Sequence, residues 1–162
     1  MRETTERIWK DFLKAAYRTA LNSPDPSNQN GAILLNGFQV VKQGFNGVTR
    51  GLHIDIRTVD RDTKLAFVVH AEQRTVLGVN AAGCTLVCPW LACTKCAQCI
   101  VEAGVERVVR HKERMAETPE RWVKECRNGD YILTSAGVEI VELSGPLELG
   151  FDLQVNGVPW TC

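Results

Sequence analysis

Two short segments concentrate the reactive side chains of this 162-residue chain: His70-Ala71-Glu72 and Cys93-Thr94-Lys95-Cys96. A gap of two residues on a helix puts Cys93 and Cys96 about one turn apart, so both sulfurs face one way. Cys93 falls at a helix start, where the positive end of the helix dipole favours the thiolate, the form that binds metal. One imidazole and two thiolates make a three-ligand zinc site whose fourth position stays open to water. Glu72 lies two residues from His70, points elsewhere on its helix and is the acid/base candidate beside that water. Zinc lowers the pKa of bound water from ~15.7 to about 7, which gives a nucleophile near neutral pH.

Blander explanations exist for each part. A lone Cys-x-x-Cys also serves as a redox pair, and a lone helix histidine is commonly structural. The conjunction, in this order and with a Glu, favours zinc. A closed structural site needs a fourth protein ligand, for which Cys99 and Cys88 are the spare thiols. Cys84 and Cys88, four apart on a strand, share a face and read as buried core thiols. His53 and His111 read as surface or loop residues.

Composition sets the context. Lys and Arg number 19 against 19 Asp and Glu, so no global basic field recruits nucleic acid. Apolar residues make up 44% and charged residues 23%, the balance of a globular domain and not of a disordered chain. No apolar run approaches the ~20 residues of a membrane span. The charged start, MRETTERIWKDF, lacks the apolar stretch of a signal peptide, so the expected location is the cytoplasm. In that reducing compartment seven clustered or scattered cysteines suggest metal binding before disulfides.

The elements that must position these residues follow from periodicity. Thr4 to Asn22 reads as an amphipathic helix with Ile8, Phe12, Ala15, Ala16 and Thr19 on one stripe. Ser23–Gly31 is rich in turn formers and ends it. Two apolar runs flank Asn36-Gly37, a hairpin signal. Residues 48–64 show no period and read as a long loop. A helix starts near His70. CTLVC is a strand, Cys93–Ala103 a helix stopped by Gly104, and VERVVRH a strand. Thr118-Pro119 opens a helix to about Ala136, as cap and first residue, and VEIVEL is a strand. The tail carries a VNGVPW turn and adds a strand or packs on a neighbour. This order predicts one domain over 1–162, with its core at about 6–143 and a C-terminal extension at 144–162. The expected class is α/β, a three-layer α/β/α fold on a mixed sheet of about five strands. Ligands in such sheets sit at the carboxyl ends of strands, where His70 and Cys93 fall.

Several segments, in order, resemble the zinc-dependent deoxycytidylate (dCMP) deaminases of the cytidine deaminase superfamily. SPDPSNQNGAIL is similar to the family's Ser-x-Asp-Pro…Gly-Ala stretch, and GFNGVTRG to its Gly-Tyr-Asn-Gly-x-Pro-Arg-Gly loop. DTKLAFVVHAE is similar to Asp-Thr-Lys-Tyr-Pro-Tyr-Val-Cys-His-Ala-Glu, and CTLVCPWLACTKCAQCIVEAGVERVV to the strand, cysteine helix and next strand. The pattern H-x-E followed by P-C-x-x-C marks zinc deaminases. The resemblance implies a cytidine-deaminase-like fold and hydrolytic deamination of dCMP to dUMP and ammonia by zinc-activated water. His70, Cys93 and Cys96 hold the ion, and Glu72 protonates N3 and then carries a proton to the departing amine. Asn46, Ala71, Phe67, Arg50 and Arg74 are the substrate-binding candidates. Arg50 suits a phosphate but equally suits a solvated loop. Phe67 stands in the place of a family aromatic near the base and equally suits a core. The resemblance further implies a homo-oligomer, a dimer or hexamer, and admits Mg2+ accompanying a nucleotide effector.

Three departures bear on the substrate. Ala92 replaces the Pro before the first cysteine. Arg74 and Thr75 replace the usual Asn-Ala after His-Ala-Glu, so Arg74 reads as a phosphate ligand or a structural ion pair. Leu65-Ala66-Phe67 replaces Tyr-Pro-Tyr, which removes hydroxyls from the base pocket and admits a 5-methyl or 5-hydroxymethyl dCMP. Competing readings are a tRNA or single-stranded DNA deaminase, for which Arg107, Arg110, His111, Lys112 and Arg114 form the basic patch, a deaminase of another free base or nucleotide such as guanine, and a non-catalytic zinc module.

Overall fold

A computed structural model describes residues 2–162. The chain runs α1 (Arg2–Ala20), β1 (Gly31–Asn36), β2 (Gln39–Phe45), β3 (Gly47–Val48), α2 (Arg61–Phe67), β4 (Val68–Val69), α3 (Ala71–Val76) and β5 (Thr85–Val87). It continues through α4 (Thr94–Glu102), β6 (Arg107–His111), α5 (Lys112–Ala116), α6 (Glu120–Ser135), β7 (Glu139–Leu143), β8 (Leu153–Val155) and β9 (Val158–Trp160). Five strands make the central sheet in the order β2-β1-β5-β6-β7. β1 runs antiparallel to β2 and β5, whereas β5, β6 and β7 are parallel. The expected mixed five-stranded sheet is therefore the one observed.

Side chains alternate across each strand, and that alternation splits the core in two. Ala32, Leu34, Leu86, Cys88 and Val108 face α3, α4 and α6, meeting Val76, Ala97, Ile100 and Leu133. Ile33, Leu35, Val87 and Val109 face the opposite layer, meeting Leu13, Ala16, Tyr17 and Ala20 of α1 together with Leu147, Leu149 and Leu153 of the tail. The result is three layers, with β1 and β5 buried on both faces. α1 comes down so close to β1 that only a glycine fits at position 31, because a Cβ there would run into the backbone of Ala16 and Ala20.

The structure departs from the sequence-based expectations at several places. The segment 48–64 is not all loop: β3 pairs with β4, and α2 occupies its end. α2 buries no residue and so shows no apolar period; Asp60 starts it by accepting a hydrogen bond from the Thr63 N–H. In the first hairpin the loop residues are Gly37 and Phe38, one later than Asn36-Gly37, because a register shift follows Leu34. Gly37 takes φ +58°, the glycine-first arrangement of a two-residue hairpin loop. Pro119 is the cap of α6 and Glu120 its first residue. The tail forms a hairpin of its own, β8 with β9, turning through Asn156 and Gly157 at φ 54° and 80°.

His111 is the clearest correction. It is fully buried at the end of β6, not on the surface. Its Nε2 faces two acceptors, Glu113 Oε2 at 2.9 Å and Gly145 O at 3.1 Å, so the ring proton sits there. Nδ1 then accepts from the Tyr17 hydroxyl at 2.8 Å. Burial lowers the His111 pKa, which keeps the ring neutral. The basic patch dissolves for the same kind of reason. Arg107 pairs with Glu139, Arg110 with Asp130 and Glu142, and Arg114 is buried.

The close approach of α1 to β1 yields a stability test. Gly31→Ala is expected to cost about 1–3 kcal/mol through backbone displacement. Urea denaturation checks it, with the midpoint falling and the slope unchanged.

Candidate active site

His70 ends the short β4 strand and takes an extended backbone, φ −70° and ψ 156°, immediately before α3. Its N–H donates to Gln73 Oε1 at 3.3 Å, which fixes the chain as it enters the helix. Cys93 caps α4 in the same extended conformation, and Cys96 follows one turn later. Glu125 of α6 accepts from the Thr94 N–H at 3.3 Å, holding the first turn of α4. Behind this turn α6 presses so close that a Cβ at Gly129 would collide with the carbonyl of Ala92.

These placements bring three donors together. His70 Nδ1 lies 3.5 Å from Cys93 Sγ and 3.3 Å from Cys96 Sγ, and all three ligand atoms lie within 4.8 Å of one another. A tetrahedral zinc with Zn–N of about 2.0 Å and Zn–S of about 2.3 Å sets its N and S ligands about 3.5 Å apart. The donor set therefore fits zinc in both chemistry and spacing. Neither spare thiol joins it. Cys88 Sγ accepts from Asn30 Nδ2 at 3.3 Å, and Cys99 faces Gln73 Nε2 at 3.9 Å. Among the described residues the group has three donors, which leaves a fourth position for water.

The cluster is electrostatically prepared for a cation. Hydrogen bonding from Cys96, then from His70, pulls the Cys93 thiol down to about 4. Sharing that bond with Cys93, together with burial, pushes the Cys96 thiol well up. Burial alone lowers His70, but Cys93 and Glu72 outweigh it and raise the ring to about 9. The bare protein thus holds protons where a metal substitutes for them. Glu72 is 3% exposed, and burial pushes its carboxyl up to about 7. A carboxyl poised near neutrality can both take and give a proton.

A cavity of about 330 Å³ opens beside the cluster. His70, Ala71, Glu72 and Cys93 form its floor; Asn28, Asn30 and Asn46 form one wall, and Trp90 and Trp122 another. Its size suits a nucleotide-sized molecule. Trp122 stands edge-on to His70 at 6.0 Å and to Trp90 at 6.1 Å. Four cations, Arg57, Arg61, Lys64 and Arg121, also line the cavity. Lys64 is engaged by Asp25 at 2.7 Å and Arg57 by Asp55 at 2.7 Å. Arg61 and Arg121 make no ion pair among the described residues.

Of the nine residues singled out from the sequence, five line the cavity: His70, Ala71, Glu72, Cys93 and Asn46. Cys96 sits just behind, fully buried. Arg50, Phe67 and Arg74 do not line it. Arg74 and Glu72 are two apart on α3, so they point to opposite sides of the helix. Arg74 Nη2 instead donates to the carbonyls of Gly47 and Val48 at 2.9 and 2.8 Å, with its guanidinium 5.7 Å from the Phe45 ring. It clamps β3, which is a structural role. Arg50 is exposed on the turn after β3, and Phe67 is partly exposed at the end of α2.

Asn46 is more committed than a plain substrate ligand. Its Oδ1 accepts from the Asn30 N–H at 2.8 Å, and its Nδ2 donates to Asn28 O at 2.7 Å. Asp25, which the sequence reading passed over, holds the same wall. Its Oδ1 accepts from the Ser27 and Asn28 N–H groups at 2.8 and 3.2 Å and from Lys64 Nζ. The signal was present in Asp25-Pro26-Ser27-Asn28, whose Asp can hydrogen-bond the backbone two residues on. Trp122 and Arg121 carried no such signal, since an aromatic on an amphipathic helix reads as core.

The Asp25–Lys64 pair joins the wall to α2 and is nearly enclosed, with side-chain exposures of 6% and 15%. Removing one partner leaves the other charge buried. Lys64→Met is expected to destabilise the protein by about 3 kcal/mol, read as a lowered Tm, whereas the exposed Arg57→Met loses less than about 1 kcal/mol.

Comparison with known proteins agrees with this geometry. Residues 6–112 match the model of the cytidine and deoxycytidylate deaminase zinc-binding region. The chain is 32% identical over 119 residues to the deoxycytidylate deaminase of Mus musculus, 67% of each chain. It is 29% identical over 142 residues to an uncharacterized deaminase of Aliivibrio fischeri, 86% of this chain and 95% of that one. Among solved structures, the dCMP deaminase of cyanophage S-TIM5 in complex with dCMP and dUMP superposes with a TM-score of 0.64 at 23% identity, covering 85% of this chain and 97% of that one. The matched region takes in the histidine, the glutamate and both cysteines of the cluster, and so the chain belongs to the cytidine and deoxycytidylate deaminase zinc-binding family.

Proposed function

We propose that this protein hydrolyses dCMP to dUMP and ammonia. The observation that carries this reading is the buried Glu72 carboxyl, set on the floor of a nucleotide-sized cavity beside three donors that fit zinc. The deoxycytidylate deaminases among its relatives supply the substrate. His70, Cys93 and Cys96 hold the ion. Zinc bound there supplies Lewis acidity that makes water nucleophilic near neutral pH. Glu72 does the proton work. It takes a proton from the water as oxygen bonds to C4 and gives it to N3, then takes the remaining hydroxyl proton and delivers it to the amine as the C4–N bond breaks and the C4 carbonyl forms. Water in and ammonia out balance the reaction. Burial of Glu72 keeps competing water away from that transfer.

The cavity walls suggest the rest of the substrate. Trp90 and Trp122 offer aromatic surface to a planar base. The phosphate goes to Arg121 and Arg61, the cavity-lining cations that make no ion pair among the described residues, in place of Arg50. The loss of tyrosine hydroxyls at Leu65 and Phe67 is compatible with a 5-substituted dCMP. A nucleic-acid substrate is the weaker reading, because the arginines expected to form a basic track are paired or buried. This proposal includes a cytoplasmic location and a homo-oligomer, dimer or hexamer. Phe38, Val40 and Val41, exposed at the β2 edge of the sheet, support association. Mg2+ with a nucleotide effector belongs to the same reading.

Ammonia release from dCMP tests it directly, with 5-methyl-dCMP, 5-hydroxymethyl-dCMP, CMP, deoxycytidine and guanine for comparison. Glu72→Gln is expected to lower turnover by about 10²–10⁴-fold while zinc content stays that of the wild type. Cys96→Ala is expected to lose the zinc, read by elemental analysis. Arg121→Ala is expected to raise KM for dCMP roughly tenfold and to leave deoxycytidine turnover unchanged. Turnover of deoxycytidine or guanine in preference to dCMP overturns the assignment.

A further inference from the structure

The wall formed by Ser27, Asn28 and Asn30 belongs to no helix or strand. A loop of this kind keeps one shape only where its polar groups are tied down. One set of ties comes from Asp25 and Asn46. A second set comes from the C-terminal hairpin, which lies beyond the region matched to the family. The Gln29 N–H donates to Gln154 O at 2.9 Å, and the Gln154 N–H returns a bond to Gln29 Oε1 at 2.9 Å. The Asn156 N–H donates to Asn28 Oδ1 at 3.0 Å, and the Gly157 N–H to Ser27 O at 2.8 Å.

The hairpin is itself anchored on both sides. Leu153 and Val155 are 1% exposed, and Trp160 packs on Tyr17 at 5.8 Å. Its turn needs left-handed backbone at two successive positions, which Asn156 and Gly157 supply at low cost. Asn156 Nδ2 donates to Glu117 O at 2.9 Å, fixing the turn to the segment after α5. Buried Arg114 completes the junction. Its Nη2 donates to the same Asn28 Oδ1 at 3.1 Å, while its guanidinium lies 4.8 Å from the ring of Trp90. Asn28 in turn accepts from Asn46. A continuous bonded path thus leads from the hairpin tip to two cavity walls.

We infer that the C-terminal hairpin is a working part of the catalytic pocket, with Gln154 and Asn156 as positioning residues that hold the Ser27–Asn30 wall in its substrate-accepting shape. The inference rests on the proposed nucleotide substrate, and it locates a determinant of substrate affinity outside the zinc-binding region. The zinc donors and Glu72 stand on other elements, so the brace acts on KM and leaves kcat and zinc content alone.

Gln29 does not line the cavity, and the two ends of its amide make separate bonds: Oε1 accepts from the Gln154 N–H at 2.9 Å and Nε2 donates to Ser23 O at 3.0 Å. In the zinc-loaded 162-residue chain, Gln29→Ala is expected to raise KM for dCMP about five- to tenfold, with kcat within about twofold. Gln29→Glu keeps an acceptor for the Gln154 N–H and gives up only the bond to Ser23 O, so it is expected to hold KM within about threefold of wild type, and a rise equal to that of Gln29→Ala overturns the brace. Asn156→Gly keeps the turn but loses the bond to Glu117, and is expected to raise KM about threefold. Thr161→Ala removes the hairpin's bond to Phe151 O at its far end, and is expected to leave KM unchanged. Amide hydrogen exchange, read without substrate, is expected to quicken at residues 27–30 in Gln29→Ala alone among the Gln29 and Thr161 variants. Unchanged KM or unchanged exchange in Gln29→Ala overturns the brace, as does an equal rise in KM from Thr161→Ala. Absence of dCMP turnover in the wild type overturns the substrate assignment, and the exchange data then decide on the brace separately.

Discussion

The arrangement depends on bringing two thiols and an imidazole within bonding distance of one ion while hiding them from bulk water. Their sulfur and nitrogen atoms repel or bridge through protons until a metal neutralises them, and His70 at 3.3 Å from Cys96 shows how far the backbone forces the encounter. Two helix starts, those of α3 and α4, face one another across the ends of β4 and β5. Each presents its ligand from an extended residue just ahead of the first turn. The N-terminal dipoles favour thiolate and carboxylate at this point, so the backbone shares the electrostatic load with the metal.

The packing serves that convergence. The centre of the sheet, β1 and β5, is buried on both faces because its strands alternate side chains into two apolar layers. One layer carries α3, α4 and α6, which set the metal donors. The other carries α1, which fixes β1, and the tail, whose hairpin bonds residues 27–29 of the wall that follows α1. α6 closes on the peptide before Cys93 at Gly129, offers Glu125 to the α4 N-terminus, and presents Trp122 and Arg121 to the cavity. A single helix therefore positions the thiolates and shapes the substrate space.

Buried polar groups make the second half of the site. Asn28, Asn30, Asn46 and Asp25 each have bonds on more than one side, and little of their hydrogen-bonding capacity is wasted. In a low-dielectric setting such networks hold one geometry firmly, because each lost bond leaves a buried group unsatisfied. The same reasoning explains Arg74. The sequence makes it a candidate for phosphate, yet its Nη2 is engaged by two carbonyls of β3, which fixes the strand that pairs with β4 ahead of His70.

The donor cluster and the layered framework are both written in local patterns of the chain. His70, Glu72, Cys93 and Cys96 were legible because metal binding demands particular side chains at particular spacings, and spacing along a helix is local geometry. The layered α/β architecture was legible because buried strands and amphipathic helices write their periods into the chain. Which side chains face the cavity depends on segments far apart in sequence, and so emerges only on folding. Arg121 and Trp122 reach it from α6, while Arg50 and Phe67 fall outside it. His111 reads as a surface or loop residue because nothing local records that Tyr17 and Gly145, 94 and 34 residues away, complete its hydrogen bonds. The tail's hairpin was visible in Asn156-Gly157, but its grip on residues 27–29 was not. Backbone hydrogen bonds between distant loops carry no residue signature, so their partners exist only once the chain has folded.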